Sequence, residues 1–261
     1  MKRLWIALAA AAALAPVAAP ALTVEEIVDR ANRASFYAGD DGVARATMVI
    51  SDKEGRTRER EFTILRKDVE DGGEQLYYVY FHKPGDVRRT VFLVHKKVGR
   101  DDDRWLYLPA LDLVRRIAAS DKRTSFVGSH FFYEDVSGRS PAEDTHTLAE
   151  ETAEHYVLDN VPKDPGGVEF TRYRVWIDKR TFLPLVAEYT DAQGKVYRRM
   201  EVLEVQEVGG YPTVRKARME DRNTGGSTLL TFEEVAYDKG ISADIFSERY
   251  LRNPPREYIR R

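Results

Sequence analysis

The chain has 261 residues, no cysteine, and 41 Lys/Arg against 43 Asp/Glu, a formal net charge of −2. The missing cysteine excludes a disulfide framework, a thiolate nucleophile and an acylated cysteine at an export cleavage site. The slightly acidic balance argues against a general nucleic-acid binder, and the length suits one large β domain or two small ones.

Lys2 and Arg3 precede an apolar run from Leu4 to Leu14, and Ala19-Pro20-Ala21 fits the small-x-small rule for signal peptidase. The run has 11 residues, short of the roughly 20 that a bilayer demands. Residues 1–21 therefore read as a cleaved signal peptide. The remainder, 22–261, reads as a single exported domain released into the periplasm, since no low-complexity linker divides it.

Thr23 opens a helix, with Glu26 three residues on in a capping-box arrangement. Val24, Ile27, Val28, Ala31 and Ala34 follow at helical spacing, and Gly39 offers a stop. The period then changes to two. Ala44, Ala46, Met48 and Ile50 alternate with Arg45, Thr47 and Val49, and after a turn at Asp52-Lys53-Glu54-Gly55 a second strand carries Phe62 and Ile64 on its apolar face. Turn residues separate further runs at 75–81, 90–97, 104–108 and 112–117, then 145–150, 155–161, 169–178, 185–191, 196–205, 213–220 and 227–235. Short strands joined by tight turns predict a mainly β, antiparallel architecture. Between the two sets of strands lies an irregular stretch, Ala118 to Asp144, holding Phe126, Phe131, Phe132 and Tyr133. So many aromatics in a segment that interrupts a meander predict either a lid with one short helix or a crossover packed on the core.

Chemical motifs are sparse. His82, His95, His130, His146 and His155 show no zinc-ligand spacing. No nucleophile elbow, phosphate-cradling glycine loop or paired-carboxylate motif occurs. Asp101-Asp102-Asp103 sits where a hairpin turn is required and lacks the spaced ligands of a calcium loop. These features predict no enzyme, no cofactor and no metal.

What the strands do carry is apolar and aromatic surface. Tyr77, Tyr78, Tyr80 and Phe81 crowd one strand, with Phe92, Trp105 and Tyr107 on the next two. Tyr173, Val175 and Ile177 oppose Arg172, Arg174 and Asp178, while Leu185, Ala187 and Tyr189 oppose Glu188 and Thr190. A dozen strands with one or two helices leave more apolar sheet face than cover, which predicts a second layer or a lined cavity. The candidate ligand-binding set is Met48, Ile50, Phe62, Ile64, Tyr78, Tyr80, Phe92, Trp105, Tyr107, Tyr173, Val175, Ile177, Leu185 and Tyr189.

Charge is unevenly spread. Residues 83–123 hold 11 Lys/Arg against 6 Asp/Glu, and residues 133–170 hold 10 Asp/Glu against 2 Lys/Arg. Either the two blocks are solvated sets of strand edges, or Arg115, Arg116, Lys122 and Arg123 meet anionic headgroups or an acidic partner.

The run Asp103-Arg104-Trp105-Leu106-Tyr107-Leu108-Pro109-Ala110, continuing to Arg115-Arg116-Ile117, resembles a signature of the LolA-like outer-membrane lipoprotein-sorting family. So does Ser125-Phe126-Val127-Gly128-Ser129 followed by Phe132-Tyr133-Glu134-Asp135. The resemblance extends along nearly the whole mature chain. It implies a curved antiparallel sheet of about 11–12 strands forming an incomplete β-barrel, with short helices covering its concave face. It also implies a monomeric periplasmic carrier or chaperone for a lipid, a lipoprotein acyl chain or another apolar ligand. The alternative is a non-catalytic module that docks on an inner- or outer-membrane protein such as an exporter. Neither reading involves nucleic acid, and no cargo-contacting residue of the family can be matched to a position here.

Overall fold

The computed structural model describes residues 21–259, so the predicted signal sequence lies, but for its last residue, outside them. Helix α1 (Val24–Phe36) begins as expected, with the Thr23 hydroxyl accepting from the Glu26 amide and the Glu26 carboxylate accepting from the Thr23 amide. It ends three residues before Gly39. Arg66 reaches its last turn from the sheet and donates to the carbonyls of Phe36, Ala38 and Gly39, supplying the partners a helix C-terminus lacks.

Thirteen antiparallel strands follow, where about a dozen was expected. They are β1 (Asp41–Ser51), β2 (Thr57–Asp68), β3 (Gln75–Lys83), β4 (Val91–Lys96), β5 (Asp103–Leu108), β6 (Leu113–Ile117), β7 (Asp144–Glu151), β8 (His155–Pro162), β9 (Arg172–Asp178), β10 (Pro184–Thr190), β11 (Val196–Val208), β12 (Tyr211–Asp221) and β13 (Gly226–Tyr237). Each predicted run forms its own strand, since a turn or loop separates consecutive runs and a longer crossover separates β6 from β7. The strands make one sheet in the order β6-β5-β4-β3-β2-β1-β13-β12-β11-β10-β9-β8-β7. β6 and β7 are its two edges and do not pair, so the barrel stays open.

That order makes the irregular stretch the bridge of the molecule. β6 and β7 are consecutive in sequence yet lie at opposite edges of the sheet, so residues 118–143 must span its inner face. On the way they form the short helix α2 (Tyr133–Ser137), which with α1 covers that face. Phe126 and Tyr133 from the crossover pack on Phe81 and Phe92, with ring centroids 5.0–5.7 Å apart. Beneath α1, Ile27 and Ala31 meet Leu158, Val175, Ile177 and Ala187.

The outer face is covered too, which the sequence reading missed. After β13 the chain runs back over β2–β5, burying Ile241, Ile245, Phe246 and Leu251 against Leu65, Tyr78, Val91, Leu93 and Tyr107. Its helices are α3 (Arg249–Arg252) and α4 (Arg256–Ile259). Hydrogen bonds also hold this strap: the Tyr78 hydroxyl donates to the Tyr250 carbonyl at 2.8 Å, and His95 meets the Phe246 carbonyl at 2.6 Å. Among the described residues no helix is long and apolar enough to cross a membrane.

Candidate functional site

Sheet, α1 and crossover do not fill the space between them. A cavity of about 270 Å³ remains, near the lower end of the roughly 300–1,000 Å³ of small-molecule sites. Its wall combines Phe36 from α1, Ala44 and Met48 from β1, Phe62 and Ile64 from β2, Val79 from β3, Val214 from β12, four residues of β13, and Phe126, Phe131 and Val136 from the crossover. The four from β13 are Leu230, Phe232, Val235 and Tyr237. A bulge lets them share one side: Arg45 opposes Glu234 but Ala46 opposes Phe232, so Glu233 is extra and the side-chain alternation flips there.

The structure distributes the 14 sequence candidates over several places. Met48, Phe62 and Ile64 line the cavity. Phe92 shares their sheet face but is fully buried behind Phe126 and Tyr133. Ile50 sits at the far end of β1, beside a separate recess formed with Asp52, Arg58 and His130. Tyr78, Tyr80, Trp105 and Tyr107 point to the outer face beneath the C-terminal strap, because strand parity opposes them to Tyr77, Val79, Phe81 and Leu106. Tyr173, Val175, Ile177 and Tyr189 lie under α1, away from the wall. Leu185 falls in a register irregularity of β10 between Pro184 and Val186. The β13 wall was missed, since a period of two cannot register a bulge.

The expectation for the basic segment is corrected for two of its four residues. Lys122 and Arg123 are partly buried and turned inward: they converge with Arg139 on the Glu134 carboxylate at 3.1, 2.5 and 3.5 Å. Glu143 accepts from Lys122 and Arg139, Asp144 from Arg139, and Glu169 from Arg123. The opposite charges of the two segments thus neutralise each other inside the crossover. Burial alone would push the Glu134 carboxyl up, but Arg123, Lys122 and Arg139 together outweigh it and hold the group below its ordinary value. Arg115 and Arg116 stay largely exposed, paired with Asp121 and Asp103.

A second pin joins the crossover to α1. The Lys96 ammonium donates to the Ser137 carbonyl at 2.8 Å and lies 5.0 Å from the Phe36 ring centre and 5.7 Å from that of Tyr37. Burial pulls its pKa down to about 8. Gly138 makes the approach possible: a Cβ there would come within 2.4 Å of the Phe36 ring.

Little on the wall suggests a reaction. The Ser35 hydroxyl donates to the Ala31 carbonyl, and the Tyr77 hydroxyl to Gln75. His130 and His146 bond Thr228 and Asn160. Asp102 of the acidic triplet braces its hairpin, accepting from the Lys97 amide and from Arg104. Among the described residues no group of three or more His, Asp or Glu side chains could hold a metal ion.

A family model described as an uncharacterized protein matches residues 73–253. A domain from Vibrio parahaemolyticus, assigned to outer membrane lipoprotein sorting, superposes with a TM-score of 0.78 at 28% identity, covering 87% of this chain and 97% of its own. The chain belongs to the LolA-like family. A DUF1329 family protein from Desulfovibrio piger is similar to the same extent, with a TM-score of 0.79 and 29% identity over 87% of this chain and 98% of its own. A LolA superfamily protein from Nitrosomonas europaea, 18% identical, shares the fold, with a TM-score of 0.68 over 88% of this LolA-like chain and 100% of its own. No curated protein matches it.

Proposed function

We propose that this LolA-like protein is a periplasmic carrier or chaperone that holds a lipid, a lipoprotein acyl chain or a similar apolar ligand, and that it catalyses no reaction. The observation that carries the reading is the cavity, an apolar space left open between a sheet and two covering elements that are otherwise closely packed. Each methylene transferred from water to such a wall contributes about 0.8 kcal/mol, so a ten-carbon chain offers roughly 8 kcal/mol. The likeness to a domain assigned to lipoprotein sorting supports the same reading, and the fit of Ala19-Pro20-Ala21 to the signal-peptidase rule supports export.

Organic-solvent extraction of protein purified from its own cells, followed by mass spectrometry, tests this. An acyl lipid near one per chain is expected; protein that yields no lipid and takes up no apolar probe would overturn the proposal.

One observation favours a second reading, a module that docks on a membrane protein. The turn between β5 and β6 exposes Leu111 and Leu113, 71% and 45% accessible, and Asp112 between them is held by Arg252. Replacement of both leucines by Ser abolishes partner capture on that reading and leaves lipid content intact.

A further inference from the structure

We propose that the cavity accepts uncharged or cationic apolar chains and rejects those ending in a free carboxylate, an inference that rests on the cavity being the ligand site. Two charged side chains reach its wall, Arg66 and Asp135. Four of the five N–H groups of Arg66 are committed within the protein. Its Nη1 donates to the Phe36 carbonyl at 2.5 Å and to Asp68 at 2.9 Å, and its Nη2 donates to the Ala38 and Gly39 carbonyls, each at 2.6 Å.

Asp135 is placed differently. Its Oδ2 accepts from the Phe132 amide at 2.6 Å and from Arg198, while the side chain remains 19% accessible at the wall. Arg198 is 2% exposed and stacks on Phe132 with 4.0 Å from its guanidinium carbon to the ring centre. The arginine therefore lies behind the aspartate. The hydroxyls of the wall are also committed: Thr213 donates to the Tyr211 carbonyl and pairs with the Tyr237 hydroxyl, and Tyr77 and Ser35 donate as described above.

A head group entering this space meets an accessible carboxylate, whereas the wall arginine already serves four acceptors within the protein. A second carboxylate would give up water to face a like charge across an apolar wall, both of which are unfavourable. An alcohol or ester loses far less, and an ammonium gains a partner.

Displacement of the neutral fluorophore N-phenyl-1-naphthylamine from the full mature protein at neutral pH tests the idea, with decanol, decylammonium and decanoate as competitors of equal chain length. Decylammonium and decanol are expected to displace the probe at concentrations about ten-fold lower than decanoate, the factor that one charge contact of modest strength supplies. In Asp135→Asn, where Arg198 loses its screen, decanoate is expected to gain about ten-fold while decanol is unchanged. Decanoate equal to decylammonium on the wild-type protein would overturn the selectivity and leave the cavity reading in place, whether or not the variant folds. Failure of the probe to bind, or of all three competitors to displace it, would overturn both.

Discussion

Three cations share Glu134, so the cost of neutralising it is set by what it leaves behind. Glu134→Gln removes the carboxylate that Arg123, Lys122 and Arg139, themselves 7–16% exposed, share and leaves them only Glu143, Asp144 and Glu169, a loss of about 1–3 kcal/mol for charged hydrogen bonds left unmade. Urea titration should show the loss. The same group sets an acid limit: its folded pKa lies below the ordinary value, so its contribution is present above that value and disappears as pH falls through the folded one. Lys96 acts in the other direction. Its pKa falls to about 8 on folding from an ordinary 10.5, so between those values the unfolded chain holds the proton and the folded one does not. Stability attributable to Lys96 therefore rises with pH across that window, by about 1–3 kcal/mol. The difference between wild type and Lys96→Met, measured by denaturant at pH values on either side, should grow accordingly; a flat difference would contradict the assignment.

Among the elements, α1 depends on a residue outside it. Arg66→Met would leave the Ala38 and Gly39 carbonyls without their side-chain donor and the Phe36 carbonyl with Gln75 alone, at about 1–3 kcal/mol for part-buried acceptors left unmade. Hydrogen exchange should quicken in the last turn of α1 before it does in β1. This dependence was not legible in the sequence, where Gly39 alone marks a stop. The strands were legible, because period-two runs between turn residues specify them locally: Ala44, Met48, Phe62 and Ile64 were placed on one face and do share it. Beyond the strands, local pattern loses its hold. Tyr78 and Tyr80 differ from Tyr77 only in parity, and no local signal says which parity faces in. Nor does the pattern reveal that residues 241–251 return to cover the outer face, since such pairing is a long-range property.

For the molecule as a whole, the charge asymmetry between residues 83–123 and 133–170 taught the opposite of what it suggested. Where the chain passes from β6 to β7 across the inner face, Lys122 and Arg123 at the end of the basic block find their partners in acids of the acidic one, Glu134, Glu143 and Glu169, the first two of which Arg139 of that block helps to hold. What the crossover encloses is the central matter. Ile64 and Val175 separate the possibilities, since Ile64 lines the cavity whereas Val175 is 9% exposed in the packed cluster under α1. Ile64→Trp fills open space and should leave the melting temperature nearly unchanged. Val175→Trp overpacks a filled region and should cost about 1–3 kcal/mol. The decisive measurement is uptake of N-phenyl-1-naphthylamine by the wild type and these two variants alongside their thermal unfolding. A ligand cavity predicts uptake by the wild type, loss of uptake without loss of stability in Ile64→Trp, and loss of stability with uptake retained in Val175→Trp. No uptake by the wild type, or a large fall in melting temperature in Ile64→Trp with uptake intact, would show that the space beneath the crossover is core.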